Sequence, residues 1–329
     1  MKVLYISSPI SKWNFVEDTT PLMMKEVQKR GGTTWFTTQR DIFLDGHVVK
    51  CKTMELTITA KAPWHTMSDP VTMNLADFDV IHIRTDPPFN VEYYYTTLLV
   101  ERASSSTHRL GYEPIPHSNG PLILNKPESL RTLNEKLAIF YFPEYVTDSL
   151  CTYNVKEACD FVASLGGRAV AKELATCSSK GVTLLQGGEE KIRPVLERLT
   201  NSGEGPILLQ RFLEKVKEGE TRVTLIDGLP LGYMTKIPAK DNFLASMDFG
   251  ATSKPCVLTA REEEISLSVG SFLKDRGVIF AALDLIDGHL SEINVTSPGL
   301  LKHTNEIMGI ELEAVLEDKV EEWLKLHRN

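Results

Sequence analysis

The stretch DLIDGHLSEINVTSPG, residues 284–299, holds the reading of this chain. Two apolar arms flank an Asp-Gly pair, the signature of a β-hairpin. Its first arm carries Asp284, its second Glu292 and Asn294 two positions apart, and a Thr296-Ser297-Pro298 turn follows. Side chains alternate along a strand, so the pairing register decides whether these polar groups meet. A two-residue Asp287-Gly288 turn sets Asp284 opposite Ser291 and points Glu292 to the other face. A three-residue loop, Asp287-Gly288-His289, sets Asp284 opposite Glu292, with Asn294 further along the same face and Leu285 and Ile293 on the core side. Convergence requires the second register. Two neighbouring carboxylates then repel unless a cation lies between them, and oxygen donors without His or Cys suit Mg²⁺. The plainer alternative is a solvent-facing hairpin edge.

Outward from the hairpin, the composition narrows the class. At 329 residues with 42% hydrophobic and 24% charged side chains, the chain is expected to be globular, with two or three subdomains. A formal charge of −8 gives no general attraction for nucleic acid or an anionic membrane. No apolar run approaches the roughly 20 residues of a membrane span, and MKVLYISSPI is too short and strand-like for a signal peptide, so a cytoplasmic location is expected. The five cysteines are scattered and form no CxxC, and the eight histidines show no HxH or HExxH spacing. Any metal is therefore expected on oxygen ligands.

Along the chain, KVLYISS reads as a strand and EDTTPLMMKEVQKRGG as a helix capped by Thr19 or Thr20, with Pro21 in its first turn and Gly31 beyond its end. FDVIHIR is a second buried strand that leaves Arg84 at its carboxyl end, where open α/β sheets place ligand contacts; a surface pair with Asp86 is the alternative. From Ser104 a Ser-, Gly- and Pro-rich stretch reads as a mobile loop. LRTLNEKLAIFYF, VKEACDFVASLGG and EEKIRPVLERLT read as helices around the strands RAVAKEL and GVTLLQ. Beyond PILLQRFL come TRVTLIDG and LPLGYMTKIP around another Asp-Gly turn, the helix EEEISLSVGSFLKDRG, the opening hairpin and the helix ELEAVLEDKVEEWLKLH.

The blocks EDTTPLMMKEVQKRG, IRTDPPFN, LNKPESLRTLNEKL, EGETRV and LDLIDGHLSEINVTSP resemble the bacterial glutathione synthetase family of the ATP-grasp superfamily over nearly the whole chain. That resemblance implies a mixed α/β and α+β ATP-grasp fold: a Rossmann-like N-terminal domain (1–122), a small lid (123–205) and a C-terminal domain (206–329). It implies ATP and two Mg²⁺ ions, or Mn²⁺ in their place, with Asp284, Glu292 and Asn294 as metal ligands. Lys126 and Lys172 resemble the two nucleotide lysines, Gln210, Arg211, Phe212 and Leu213 the hinge that meets adenine, and Glu220 the acid on the ribose. Arg222 resembles the arginine on the transferred phosphoryl group. Read without the resemblance, either lysine is ordinary surface, and Glu220 and Arg222 are the polar face of a half-exposed strand. Thr296, Ser297 and Arg84 are expected against a peptide substrate and its carboxylate. The implied reaction converts a carboxylate to an acyl-phosphate and then to an amide, with γ-glutamyl-cysteine and glycine as substrates. A dimer or tetramer is implied by the same analogy.

Two segments depart from the family pattern. The phosphate-covering loop, usually glycine-rich, reads Ser178-Ser179-Lys180-Gly181, similar to the serine-rich loop of D-alanine ligase-type enzymes; a plain surface turn is the alternative. The loop KIPAKDNFLASMDFG is short, with Lys236 and Lys240 where arginines are usual and Asn242 retained, and Arg211 replaces an amide in the hinge. Lysine is a point charge and arginine a planar fork, so acceptor contacts are expected to differ. A related ligase with other substrates, and a nucleotide-binding protein without turnover, are the competing readings.

Overall fold

In a computed structural model, residues 1–104 and 120–328 are described. Most of the loop expected from Ser104 onward lies outside them. The first layer runs β1 (Lys2–Ser7), α1 (Thr19–Lys29), β2 (Thr33–Thr37), β3 (Ile42–Asp45), β4 (Val48–Ile58), β5 (His65–Met67), β6 (Val71–Asn74), β7 (Val80–Arg84), α2 (Val91–Ser104) and β8 (Leu122–Leu124). Its sheet order is β3-β4-β2-β1-β7-β8, with β5 and β6 on β4. The central strands β2, β1, β7 and β8 are parallel. β1 and β7 are buried on both faces because helices and further strands cover both sides. Asp18 occupies the cap position of α1, ahead of the expected Thr19 or Thr20.

The second unit comprises α3 (Pro127–Thr132), β9 (Ser149–Thr152), α4 (Val155–Ser164), β10 (Arg168–Glu173), β11 (Val182–Gln186), α5 (Glu189–Leu199) and β12 (Ile207–Arg211). Its antiparallel sheet, β11-β10-β12-β9, covers a core of its own that includes Ala158, Val162, Leu196 and Leu209. β12 pairs with both β9 and β10, so the lid strands continue to Arg211, past the expected boundary at 205. The helix expected over LRTLNEKLAIFYF does not form as one piece. Asn134 Oδ1 accepts from the Lys136 and Leu137 amides, both at 3.1 Å, and this side-chain turn competes with helix continuation after Thr132.

The third unit comprises β13 (Glu220–Ile226), β14 (Leu229–Ile237), β15 (Thr252–Lys254), α6 (Ala260–Lys274), β16 (Phe280–Ile286), β17 (His289–Asn294), α7 (Leu301–Met308) and α8 (Leu312–Arg328). Its sheet order is β15-β14-β13-β16-β17. The decisive hairpin pairs Asp284 with Glu292, the converging register, but not through the three-residue loop. The turn is the two-residue Asp287-Gly288, both at positive φ (52° and 69°), and Ile286 pairs with His289 across it. A bulge then supplies the offset: Leu285 pairs with Leu290 and Asp284 with Glu292, leaving Ser291 as the extra residue.

The first and third units are fused rather than hinged. Val3, Tyr5 and Met24 share a core with Phe280, Leu312, Leu316 and Val320. Helix α8 lies on α1, where Arg30 Nη1 meets Asp318 at 2.7 Å. At this junction burial pushes the Glu317 carboxyl up to about 7 against the pull of Arg30, and its Oε1 has no hydrogen-bond partner. An acid whose folded-state pKa is raised favours folding while protonated, fully so below the ordinary carboxylate range, and that contribution fades as pH rises through 7. Glu317→Gln, neutral throughout, should therefore flatten the loss of Tm between about pH 5 and about pH 8 and be more stable at the upper end by roughly 2 kcal/mol. Parallel melting curves that stay offset by a constant amount would refute this.

Candidate active site

Register places six polar side chains on one face of the third sheet. Glu220 pairs with Lys236, Arg222 with Asp284, Asp284 with Glu292, and Asn294 lies two residues beyond Glu292. Period-two alternation keeps all six on a common side, while Val223, Leu283 and Ile293 face the core. Asp284 accepts from Arg222 Nη1 (2.6 Å), Lys236 Nζ (2.9 Å) and Asn294 Nδ2 (3.0 Å). Burial alone raises a carboxyl, but Arg222 and Lys236 hold that of Asp284 well below the usual carboxylate range. Glu220 is ion-paired to Lys236, yet burial and the nearby Asp284 still bring its carboxyl up to about 7. The carboxylate repulsion expected from the hairpin is thus relieved by the chain's own cations.

The bulge at Ser291 has a direct consequence. It frees the Ser291 hydroxyl and carbonyl, which accept from Lys172 Nζ at 2.9 and 3.2 Å. Burial lowers the Lys172 pKa, with Glu292 and Glu220 opposing that fall. The broken helix supplies two further groups that the sequence reading missed. Lys136 Nζ pairs with Glu292 at 3.1 Å and donates to the Thr176 carbonyl at the root of the lid loop. Glu135 Oε1 accepts from the Val295 and Thr296 amides and the Thr296 hydroxyl at 2.8–3.0 Å, doing for edge strand β17 what a neighbouring strand would do. Only the side-chain capping capacity of Asn134 hinted that this segment would leave the helix.

These groups open onto a cleft of about 850 Å³ between the two smaller sheets, with Asp18 and Asp86 of the first domain along one wall. Lys172, Ser178, Ser179, Lys180, Gln210, Arg211, Phe212, Leu213, Glu220, Arg222, Lys236, Asp284, Glu292, Asn294, Thr296 and Ser297 all line it. Ser178 and Ser179 both adopt positive φ (53° and 59°), the conformation that a glycine-rich loop takes without strain. Gly181 shapes the loop from behind: at φ 75° a Cβ there would meet Thr176 Oγ1 at 2.8 Å.

Several expected residues take other roles. Lys126 does not line the cleft; it is half-exposed, pairs with Glu128 at 2.8 Å and stands at the start of α3, because the strand-to-helix turn points it away. Arg84 is buried behind the wall, donating to Thr20 Oγ1 (3.2 Å) and the Pro298 carbonyl (2.9 Å), so it braces the Thr-Ser-Pro turn. The hydroxyl protons of Thr296 and Ser297 are committed to Glu135 and Asp86. Lys240 is exposed outside the cleft, and Asn242 caps its own loop by accepting from the Phe243 and Leu244 amides.

A sharp contrast follows. Lys136→Ala removes a buried cation from the cleft and should lower turnover about 100-fold, whereas Lys126→Ala should leave it within about twofold. Steady-state ADP release measures both; equal effects would overturn the assignment.

A lid sheet closing over a second sheet that presents carboxylates, with lysines from both, defines an ATP-grasp protein. The fold agrees with two solved structures: D-cycloserine synthetase (TM-score 0.63, 15% identity, 96% of this chain and 99% of that one) and the D-alanine–D-alanine ligase of Bacillus anthracis (TM-score 0.59, 14% identity, 99% and 98%). Residues 1–131 match the N-terminal domain of prokaryotic glutathione synthetase and residues 135–309 its ATP-grasp domain, and the chain belongs to that family. It is 30% identical to the glutathione synthetase of Vibrio cholerae over 327 residues, 99% of this chain and 98% of that one. It is 31% identical to that of Brucella melitensis over 322 residues, 98% of each. The chain is accordingly an ATP-dependent ligase that forms an amide bond. No helix among the described residues is long and apolar enough to cross a membrane.

Proposed function

We propose that the cleft binds Mg-ATP and joins a γ-glutamyl-cysteine-like carboxylate to glycine or a related amine. The observation that carries this reading is the patch of two neighbouring rungs, Lys236–Glu220 and Arg222–Asp284–Glu292, which gathers three acids and two cations on one sheet face beneath Lys136 and Lys172. Among the described residues no three His, Cys, Asp or Glu side chains form a metal cluster; the donors would be the carboxylates of Asp284 and Glu292, paired across the ribbon, and the Asn294 amide oxygen. Such a sparse, oxygen-only set fits Mg²⁺, which keeps water and phosphate oxygens in its shell. Asp284 and Glu292 would hold one ion, and Glu292 and Asn294 a second.

When bound, Mg²⁺ supplies positive charge to the nucleotide phosphates. Lys172 and Lys136 add compact cations from the lid side, and the Ser178-Ser179-Lys180 loop brings hydroxyls and amides over the same groups. Arg222 offers its fork to the transferred phosphoryl group, with Lys236 beside it to stabilise the acyl-phosphate. The hinge from Gln210 to Leu213 takes the base, and Glu220 faces the ribose. No side-chain nucleophile is required, and catalysis rests on position and charge.

A second reading keeps this chemistry with a different amine. It is favoured by the loop after β14, where Leu244 and Met247 line the cleft in place of a run containing arginine and glycine. ADP release with Mg-ATP against γ-glutamyl dipeptides and amino acids decides. Stimulation confined to γ-glutamyl-cysteine with glycine supports the first reading, stimulation by another pair the second, and binding without turnover neither.

A further inference from the structure

The loop after β14 touches both ends of the cleft. The Asn242 side chain caps the Phe243 and Leu244 amides at 2.8 and 3.1 Å, fixing how the next residues enter. The Phe243 ring meets Phe212 of the hinge in a T-shaped contact, centroids 5.9 Å apart and planes at 66°. Three residues later, Ser246 Oγ donates to the Ser178 carbonyl of the lid loop at 3.4 Å. One segment therefore spans from the hinge to the phosphate loop.

Its aromatic residue stands out for its surroundings. Val170 and Val182 line the cleft from the lid sheet, and Ile286 and Leu290 from the third sheet. An apolar slot between two sheets accepts a flat heteroaromatic ring, and a further aromatic edge or face beside it adds contact beyond simple burial. Among the described residues lining the cleft, Phe212 and Phe243 are the two that carry a phenyl, phenol or indole ring. Phe212 is largely buried and already covered by the Arg168 guanidinium 4.0 Å from its centroid. Phe243 is half-buried and carried on a loop, which leaves it the aromatic group with freedom to close on a ligand.

We propose that Phe243 is the clamp for the nucleotide base, closing the slot from a side that neither sheet covers. Through Ser246 the same loop ties base occupancy to the position of Ser178, so that a seated base and a settled phosphate loop favour one another. This rests on the cleft being the nucleotide site and adds a residue outside the hinge to it.

The test compares ADP with inorganic tripolyphosphate, each with Mg²⁺, by calorimetry on the full chain. Phe243→Ala should weaken ADP about tenfold while leaving tripolyphosphate unchanged. Phe243→Trp should keep ADP affinity and show a fluorescence change with ADP and none with tripolyphosphate. ADP bound by Phe243→Ala as tightly as by the native chain, or more tightly, overturns the clamp, as does an equal loss for both ligands. A native chain that binds neither overturns the nucleotide reading as well, which separates the two failures.

Discussion

Glu292→Gln should fold and melt almost as the native chain does, yet lose about three orders of magnitude in ATP-dependent ligation. Glu292 stands directly across the ribbon from Asp284, with Lys136 on one of its oxygens at 3.1 Å. The amide keeps the shape and still offers an oxygen to the Lys136 ammonium, so that buried cation keeps a hydrogen-bond partner and the fold has little reason to suffer. What disappears is one of the two negative charges of the proposed metal site, whose remaining donor is a neutral amide, and a hard divalent cation depends on that charge. The corresponding measurements are a thermal melt, Mg²⁺ dependence of nucleotide binding, and kcat. A folded variant that retains a tenth or more of native turnover would remove Glu292 from the metal site.

Arg222→Ala should be nearly as damaging and, unlike the first, should also cost stability. Arg222 and Lys236 together hold Asp284 ionised in a buried position. Deleting the guanidinium leaves Asp284 to Lys236, which is shared with Glu220, and breaking a buried pair in this way costs on the order of 3 kcal/mol. The sign of the pH dependence follows. Because its folded pKa is depressed, Asp284 contributes stability above the ordinary carboxylate range and loses it only as pH falls through its own low value. Removing Arg222 moves that loss to higher pH, so the variant should unfold in acid sooner than the native chain. Turnover should fall about 1000-fold, since the group proposed to face the transferred phosphoryl is gone. Arg222→Lys restores charge without the fork and should recover most of the stability but little of the rate. Full activity in Arg222→Lys would show that charge alone suffices.

Much of the site was legible because it lies on strands. Glu220 with Arg222, and Glu292 with Asn294, are two residues apart, and a period of two puts each pair on one face wherever the strand goes. Their alternation with Val223 and Ile293 marks the core side. The lysines were less legible. Lys126 precedes the expected helix LRTLNEKLAIFYF, and Lys136, ten positions on, lies within it. Lys136 and not Lys126 reaches the cleft because of a turn whose trigger, Asn134 bonding to the two amides beyond it, is one option among several for that side chain. Arg84 was correctly placed at a strand end, but its partner, the Pro298 carbonyl, is more than two hundred residues away.

From its sequence alone this protein had the strand faces of its polar residues determined, because side-chain period is a local property, and its membership of a ligase fold followed from the resemblance of whole blocks to a known family. Tertiary structure decided the rest: a bulge at Ser291 that aligns Asp284 with Glu292 and captures Lys172, the entry of Lys136 in place of Lys126, and the burial of Arg84 behind the wall. Each is a matter of which distant groups satisfy one another's hydrogen bonds and charges once the sheets pack, and that competition is settled by the whole chain.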